Sequence, residues 1–248
     1  VMDGVLGRES VVPSAEGSSA GPLVEPLRTV EGASAYVKIS DGCDRFCSFC
    51  AIPYIRGRYA SRPYAEIESE VLALARQGVR EFVLIGQDTG IWGKDLGEGD
   101  TLASLLVRLA EVVRPYGAWL RVLYLQPEGM TDELVAAIRD TPEVLPYIDI
   151  PIQHCNARVL KSMNRSGSAE EFSELFARLR SEIPGMVLRT TGLVGFPGET
   201  EEEYEELLDF IQAEEFDYTS VFSYSREEGT RGAEMDGQID EDVKLERA

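Results

Sequence analysis

Cys43, Cys47 and Cys50 fall within eight residues in the spacing Cys-x3-Cys-x2-Cys, and the fourth cysteine, Cys155, stands far from them. Thiols this close cannot staple a fold, because a disulfide framework spreads its cysteines along the chain. Their spacing is that of ligands. Three thiolates can hold three irons of a four-iron cubane and leave the fourth iron open, whereas a closed electron-transfer cluster normally takes four protein ligands. The rival reading is a structural zinc site completed by His154 or Cys155. Zinc spacings usually come as two Cys-x2-Cys-like pairs and want a closed tetrahedron, so the triad favours a cluster with an open coordination position. Cys155 reads more simply as a small buried hydrophobe and is not assigned as a ligand.

The triad follows a β-rich run at 36–40, and similar runs recur at 81–87, 119–125, 147–153, 186–195 and 217–224. Helical periods fill the intervals. Ile67, Val71 and Leu74 form one stripe that stops at Gly78, and Leu102, Leu105, Leu106, Leu109 and Val113 form the next. Leu134 and Ile138 follow the candidate cap Thr131, while Ser168 with Glu171 and Thr200 with Glu203 have capping-box spacing. Strands alternating with helices require parallel pairing and right-handed crossovers, hence an open doubly wound sheet or a barrel. The polar clusters decide between them. They fall just after each strand: the cysteines, then 86–89, 126–128, 153–155, 195–199 and 223–225. A barrel mouth collects residues from every strand end, while an open sheet favours its switch point alone. The expected fold is α/β, a partial (β/α)6 TIM-like barrel of parallel strands with outer helices. Residues 1–33, rich in Gly, Ser, Pro and Glu, read as a linker or arm, with a core domain at 34–248.

The chain carries 24 basic and 44 acidic residues among 248, a net charge of −20. Such a field repels phosphate backbones and attracts basic partners, so direct nucleic-acid binding by this core is disfavoured. No apolar run reaches the ~18 residues of a membrane span. Cysteine usage fits a reducing cytoplasm, and the sequence opens on Val1, as an excised core of a longer protein would.

Cys-x3-Cys-x2-Cys after the first barrel strand, with Phe49 before the last cysteine, resembles the radical S-adenosylmethionine (SAM) superfamily. Within it, the stretch from Gly42 to Gly57 followed by Ser61-Arg62-Pro63 looks like the methylthiotransferases. Gly86-Gln87-Asp88-Thr89, Asp149-Ile150-Pro151-Ile152-Gln153-His154 and the stretch from Val194 to Thr200 agree. That family has a transfer-RNA branch and a ribosomal-protein branch. Gln87-Asp88-Thr89 and Gln153-His154 look like the second, with an aspartate of a small-subunit ribosomal protein as substrate; a transfer-RNA adenosine is the alternative. The resemblance implies one 4Fe-4S cluster on Cys43, Cys47 and Cys50, with SAM on the open iron. Reductive cleavage of SAM would give a 5′-deoxyadenosyl radical that abstracts hydrogen from the aspartate β-carbon, where a methylthio group is installed. It also implies an electron donor such as flavodoxin, an amino-terminal domain with a second 4Fe-4S cluster, and a carboxy-terminal TRAM domain, both outside this chain.

The same resemblance places SAM contacts at Phe49, Gln87, Asp88, Gln153, Arg189, Val194, Gly195, Phe222 and Tyr224. Several also have a plainer reading. Gln87 and Asp88 would serve equally as a polar turn after a strand. Arg189 interrupts an apolar strand and needs an anion, either the SAM carboxylate or a protein carboxylate. Phe222 and Tyr224 suit an adenine wall or ordinary core. His154, the only histidine, is the one residue that could act as a base, yet hydrogen abstraction by a radical needs none. Ten acidic and no basic residues lie between Glu199 and Asp217. They read first as a solvated helix face and second as a dock for a basic protein.

Overall fold

The computed structural model describes residues 32–248; the arm read at residues 1–33 lies, but for its last two positions, outside the described residues. The chain runs through β1 (Ser34–Lys38), β2 (Ser40–Asp41), α1 (Ile52–Arg56), β3 (Ala60–Ser61), α2 (Tyr64–Arg76), β4 (Glu81–Ile85), α3 (Leu102–Val113) and β5 (Trp119–Val122). It continues through α4 (Asp132–Asp140), β6 (Tyr147–Gln153), α5 (Ala157–Ser162), α6 (Ala169–Glu182), β7 (Val187–Val194), α7 (Glu201–Glu214), β8 (Tyr218–Ser223) and α8 (Glu241–Arg247).

Six of the strands are parallel neighbours in chain order, β1-β4-β5 and β6-β7-β8. The two triplets meet at β5, where Leu120 bridges to Val144 and the Leu125 N–H donates to Asp149 O (3.0 Å). The result is the expected partial barrel with helices outside. Its helices bury the stripes that the sequence marks: Ile67, Val71 and Leu74 from α2 and Leu105, Leu106 and Leu109 from α3 are fully buried. Each such leucine or isoleucine contributes about 1.5–3 kcal/mol relative to exposure. The caps follow suit. Thr131 accepts from the Leu134 N–H and Ser168 from the Glu171 N–H, while Thr200 and Glu203 complete a reciprocal box.

The pair β2/β3 matters most for function. Ser40 pairs with Ser61 and Asp41 with Ala60, antiparallel, so residues 42–59 leave the barrel rim as a loop pinched at its base. At the pinch, Gly42 adopts φ +71° and a Cβ there would lie 2.1 Å from Arg58 O. Only glycine lets the two backbones approach that closely.

Candidate functional site

The cysteine loop is fixed from three directions. The Cys43 N–H donates to Gly57 O (3.2 Å) and the Cys50 N–H to Cys47 O (3.0 Å), which sets the local fold of the loop. From the segment after α5, Met163 O accepts the Ser48 N–H (2.9 Å), and the Asn164 side-chain amide donates to Arg45 O (3.0 Å) and Phe46 O (3.1 Å). Across the rim, Arg45 Nε donates to Asp88 Oδ2 (2.6 Å) and its Nη1 to Glu128 (3.2 Å), joining the loop to the ends of β4 and β5.

Thus held, Cys43, Cys47 and Cys50 line one cleft of about 430 Å³, with Phe49, Gly86, Gln87, Tyr124, Gln126, Gln153 and Arg165 among the other walls. All three are free thiols. Burial pushes the Cys43 and Cys50 thiols above their ordinary pKa, so a cation at this site has to displace their protons. Among the described residues no three Cys, His, Asp or Glu side chains converge on a point that would hold a single ion. A structural zinc site needs a fourth protein donor to close its tetrahedron, whereas a cubane takes one thiolate per iron and leaves its fourth iron open. His154 and Cys155, the proposed zinc completers, are fully buried and do not line the cleft. The donor set fits the cluster.

The opposite wall fits a polar ligand. Gln87 Oε1 and Arg165 Nε are buried without any hydrogen-bond partner. Leaving such atoms unpaired costs about 1–3 kcal/mol each, which a bound ligand would recover. Three cations face the cleft, and they differ. Lys38 is tied to Asp41 (2.7 Å) and Arg45 to Asp88, while Arg165 Nη2 donates only to neutral oxygens, Gln126 Oε1 (2.6 Å) and Pro151 O (3.0 Å). Its charge is therefore available to an anion. Backbone strain gathers here too. Of the five described non-glycine residues with positive φ, Phe46 and Asn164 shape or hold the cysteine loop, and Tyr124 and Gln153 line the cleft.

Of the residues singled out in the sequence, Cys43, Cys47, Cys50, Phe49, Gln87 and Gln153 meet in this cleft. The others lie elsewhere. Asp88 is 1% exposed and serves as the anion for Arg45; burial raises its pKa, an effect that Arg45 opposes. Arg189 pairs with Asp149 (3.0 Å) and reaches Ser220 Oγ (3.2 Å), so its anion is a protein carboxylate. Val194 is buried, and Gly195 turns at φ +73° against the Lys244 side chain. Tyr224 is buried edge-on against Phe196 at 5.4 Å. Phe222 is 59% exposed, because β8 pairs only with β7 and leaves its other edge open. His154 is buried, its Nδ1 accepting the Asn156 N–H (2.9 Å) and its Nε2 standing 3.4 Å from Glu199 Oε1, so it is no base at the cleft. Sequence reasoning missed Arg165 and Tyr124. Arg165 lies on no strand end and carried no pattern, whereas Tyr124 sits just past β5, where strand-end position alone could have flagged it.

A family model described as the Radical SAM superfamily matches residues 37–211. The ribosomal protein uS12 methylthiotransferase RimO of Pelotomaculum thermopropionicum is 50% identical over 214 residues, which cover 86% of this chain and 48% of the relative. RimO of Synechococcus sp. WH7803 is 46% identical over 220 residues, 89% of this chain and 46% of the relative. The chain thus spans about half the length of the curated relatives it matches. Among solved structures, coproporphyrinogen III oxidase (HemN) of Escherichia coli superposes with a TM-score of 0.63 at 18% identity, covering 86% of this chain and 49% of that one. The radical SAM methyltransferase TsrM of Kitasatospora setae gives a TM-score of 0.63 at 20% identity over 77% of this chain and 36% of its own. Both likenesses speak to the fold.

Proposed function

The chain belongs to the radical SAM superfamily, and on that premise we propose that residues 34–248 form the cluster- and SAM-holding core of a methylthiotransferase acting on an aspartate of ribosomal protein uS12. The observation that carries this reading is one cleft that gathers three thiols and Arg165, a cation that donates only to neutral oxygens. The substrate assignment rests on the likeness to relatives named for uS12. The net charge of −20 supports it, since it opposes the counterion-release term of RNA binding and favours a basic partner.

Cys43, Cys47 and Cys50 would hold a 4Fe-4S cluster by three irons, which leaves a coordination position for substrate. When bound, the cluster would supply the electron for reductive cleavage of the SAM sulfonium. The chain's own contribution is placement. Arg165 offers its guanidinium to the SAM carboxylate, Gln87 offers its amide to a polar group of the ligand, and Phe49 supplies an apolar wall. Gln153, held at φ +69°, closes the far side. Cys155 is fully buried outside the cleft, with its thiol pushed up to about 12, and the sequence holds no other cysteine beyond the triad, so a sulfur-donating cluster would need ligands from elsewhere. We assign that cluster to the amino-terminal domain of the full-length enzyme, place the reaction in the cytoplasm, and draw the electron from an external carrier. No described helix is long and apolar enough to cross a membrane.

Anaerobic reconstitution tests the reading. The chain should turn brown with about four irons and as many sulfides per chain, and Cys47→Ser should lose both. Reduced in the presence of SAM, it should release 5′-deoxyadenosine without methylthiolating uS12. One equivalent of zinc with no visible absorption would refute the cluster. Methylthiolated uS12 from this chain alone would refute the division of labour.

A further inference from the structure

Helix α5 ends in a left-handed turn. Asn164 takes φ +58°, its N–H donates to Lys161 O (3.1 Å) and the Arg165 N–H donates to Leu160 O (2.8 Å). These are the paired closing bonds of a helix C-terminus whose left-handed residue is usually glycine. Here it is asparagine. The position is exposed, so packing does not call for an amide, and glycine would take the positive φ with less strain. The amide reaches sideways instead. Its Nδ2 donates to Arg45 O (3.0 Å) and Phe46 O (3.1 Å), within the span from Cys43 to Cys47.

Two residues before it clasp the same loop. Ser162 O accepts the Ser48 hydroxyl (2.8 Å) and Met163 O accepts the Ser48 N–H (2.9 Å). Ser48 lies between Cys47 and Cys50, is 1% exposed, and its carbonyl accepts the Gly232 N–H (2.6 Å). Ser162, Met163 and Asn164 thus each hold the cysteine loop, and the next residue is Arg165, the cation that donates only to neutral oxygens in the same cleft. Consecutive Cα atoms lie about 3.8 Å apart, so a single peptide link joins the last clasp to the free cation. A ligand held at the triad and at the guanidinium together depends on the distance between them. Misplacing one by about 1 Å can cost on the order of 10²-fold.

Resting on the reading that Arg165 takes the SAM carboxylate, we propose that Asn164 is a positioning residue whose amide keeps the cysteine triad in register with the Arg165 guanidinium. Asn164 does not line the cleft; it acts through the loop on one side and Arg165 on the other. Ser48 fixes the half of the loop that carries Cys47 and Cys50, and Asn164 fixes the half between Cys43 and Cys47. Without the amide, the Cys43 N–H keeps Gly57 O and Arg45 keeps Asp88. The triad is therefore still assembled, but its distance to the cation is no longer set.

Asn164→Gly separates the helix cap from the amide, because glycine keeps the left-handed turn and removes only the two donors. The urea midpoint of the metal-free 248-residue chain and the iron content after anaerobic reconstitution should both match wild type. SAM affinity per cluster, measured by anaerobic equilibrium dialysis, should fall about tenfold with the two hydrogen bonds. Methylthioadenosine, which lacks the carboxylate, should bind as before. Arg165→Gln alone should weaken SAM, and adding Asn164→Gly to it should change the affinity by less than about twofold, because the cation whose place the amide sets is already gone.

Wild-type SAM affinity in Asn164→Gly, additive losses in the double variant, or equal weakening of methylthioadenosine would overturn the proposal. So would a lowered urea midpoint or a loss of iron in Asn164→Gly, which would make the amide a support of the fold or of the triad alone. SAM binding unchanged by Arg165→Gln would instead sink the carboxylate reading of Arg165, and the register with it.

Discussion

Arg45 and Asp88 are not equal partners, and removing them one at a time should show it. The Asp88 carboxylate is 1% exposed, with Oδ2 on Arg45 at 2.6 Å and Oδ1 unpartnered. Arg45→Met deletes its cation and strands a buried charge. A fully buried broken pair costs about 3–5 kcal/mol; Arg45 is 25% exposed, so water reaches the gap and the expectation falls to about 2–3 kcal/mol. Asp88→Asn is gentler. It keeps the volume of the side chain, and Arg45 retains solvent and Glu128 at 3.2 Å, so the loss is about 1 kcal/mol. With both changed, no buried charge is left, and the double variant should be no worse than Arg45→Met alone, a coupling of about 1–2 kcal/mol. Urea unfolding of the metal-free chain at constant m measures all three. Because the pair anchors the cysteine loop to β4, the cluster should also leave faster. A loss of about 2 kcal/mol in local opening corresponds to roughly 30-fold faster removal by an iron chelator. Additive effects, or Asp88→Asn costing as much as Arg45→Met, would refute the asymmetry.

Gly42→Ala should fold yet fail to load iron, because its Cβ would sit 2.1 Å from Arg58 O at φ +71°; an iron content equal to wild type refutes it. Arg165→Gln should weaken SAM binding by roughly 10- to 100-fold, the loss of a hydrogen bond to a charged group, while leaving methylthioadenosine, which lacks the carboxylate, unaffected in equilibrium dialysis. Arg158 holds the Glu203 carboxyl below its usual range. The unfolded chain therefore binds that proton first, and the pair's stabilisation is present above about pH 4.5 and lost as pH falls through the lowered value. Glu203→Gln should accordingly flatten the acid limb of stability against pH below about 4.5 and leave its slope above pH 6 unchanged.

Hydrophobic period carried most of the fold, and its failures are local. The run at 147–153 is β6 to the residue, bounded by Pro146 before it and by the turn at His154 after it. The run at 119–125 overshot: β5 stops at Val122, where the Leu123 N–H still reaches Leu84 O but Tyr124 turns to φ +63°. Apolar character continues through Leu125 because that residue is buried, and burial is all that periodicity reads. The short helices α1 and α5 were invisible for a related reason, being too brief for a period to repeat. Within the site, the cysteines were legible because metal ligation constrains both type and spacing. Arg165 was not, because a cation after a helix is ordinary until the fold brings it into one cleft with Cys43.

Polar residues at barrel strand ends do two different jobs here, and the sequence alone does not separate them. Gln87 and Gln153 point into the cleft. His154, Glu199 and Arg247 look equally chemical on paper, yet they form a bracket of their own outside the cleft. Glu199 Oε2 accepts from the Gly195 N–H (2.8 Å) and from Arg247 (2.6 Å), and Oε1 faces His154 Nε2. Because His154 Nδ1 already accepts from the Asn156 N–H, the neutral ring carries its proton on Nε2, toward the carboxylate. Every charge in the bracket is answered from within the chain. The buried Glu199 has its cation in Arg247 of α8, and Lys244 of the same helix lies over the Tyr224 ring at 5.3 Å. Unpartnered buried atoms do not separate the two groups, because His154 Nε2, Glu199 Oε1 and Arg247 Nε lack a hydrogen-bond partner just as Gln87 Oε1 and Arg165 Nε do. Charge separates them, since Arg165 donates only to neutral oxygens. A charge paired within the chain holds the fold, whereas a charge without a counter-ion can take a ligand. By that criterion Arg189 of β7 and Arg247 of α8 are stitched as scaffold. The free charge is that of Arg165, in the cleft where the cysteine loop is pinned.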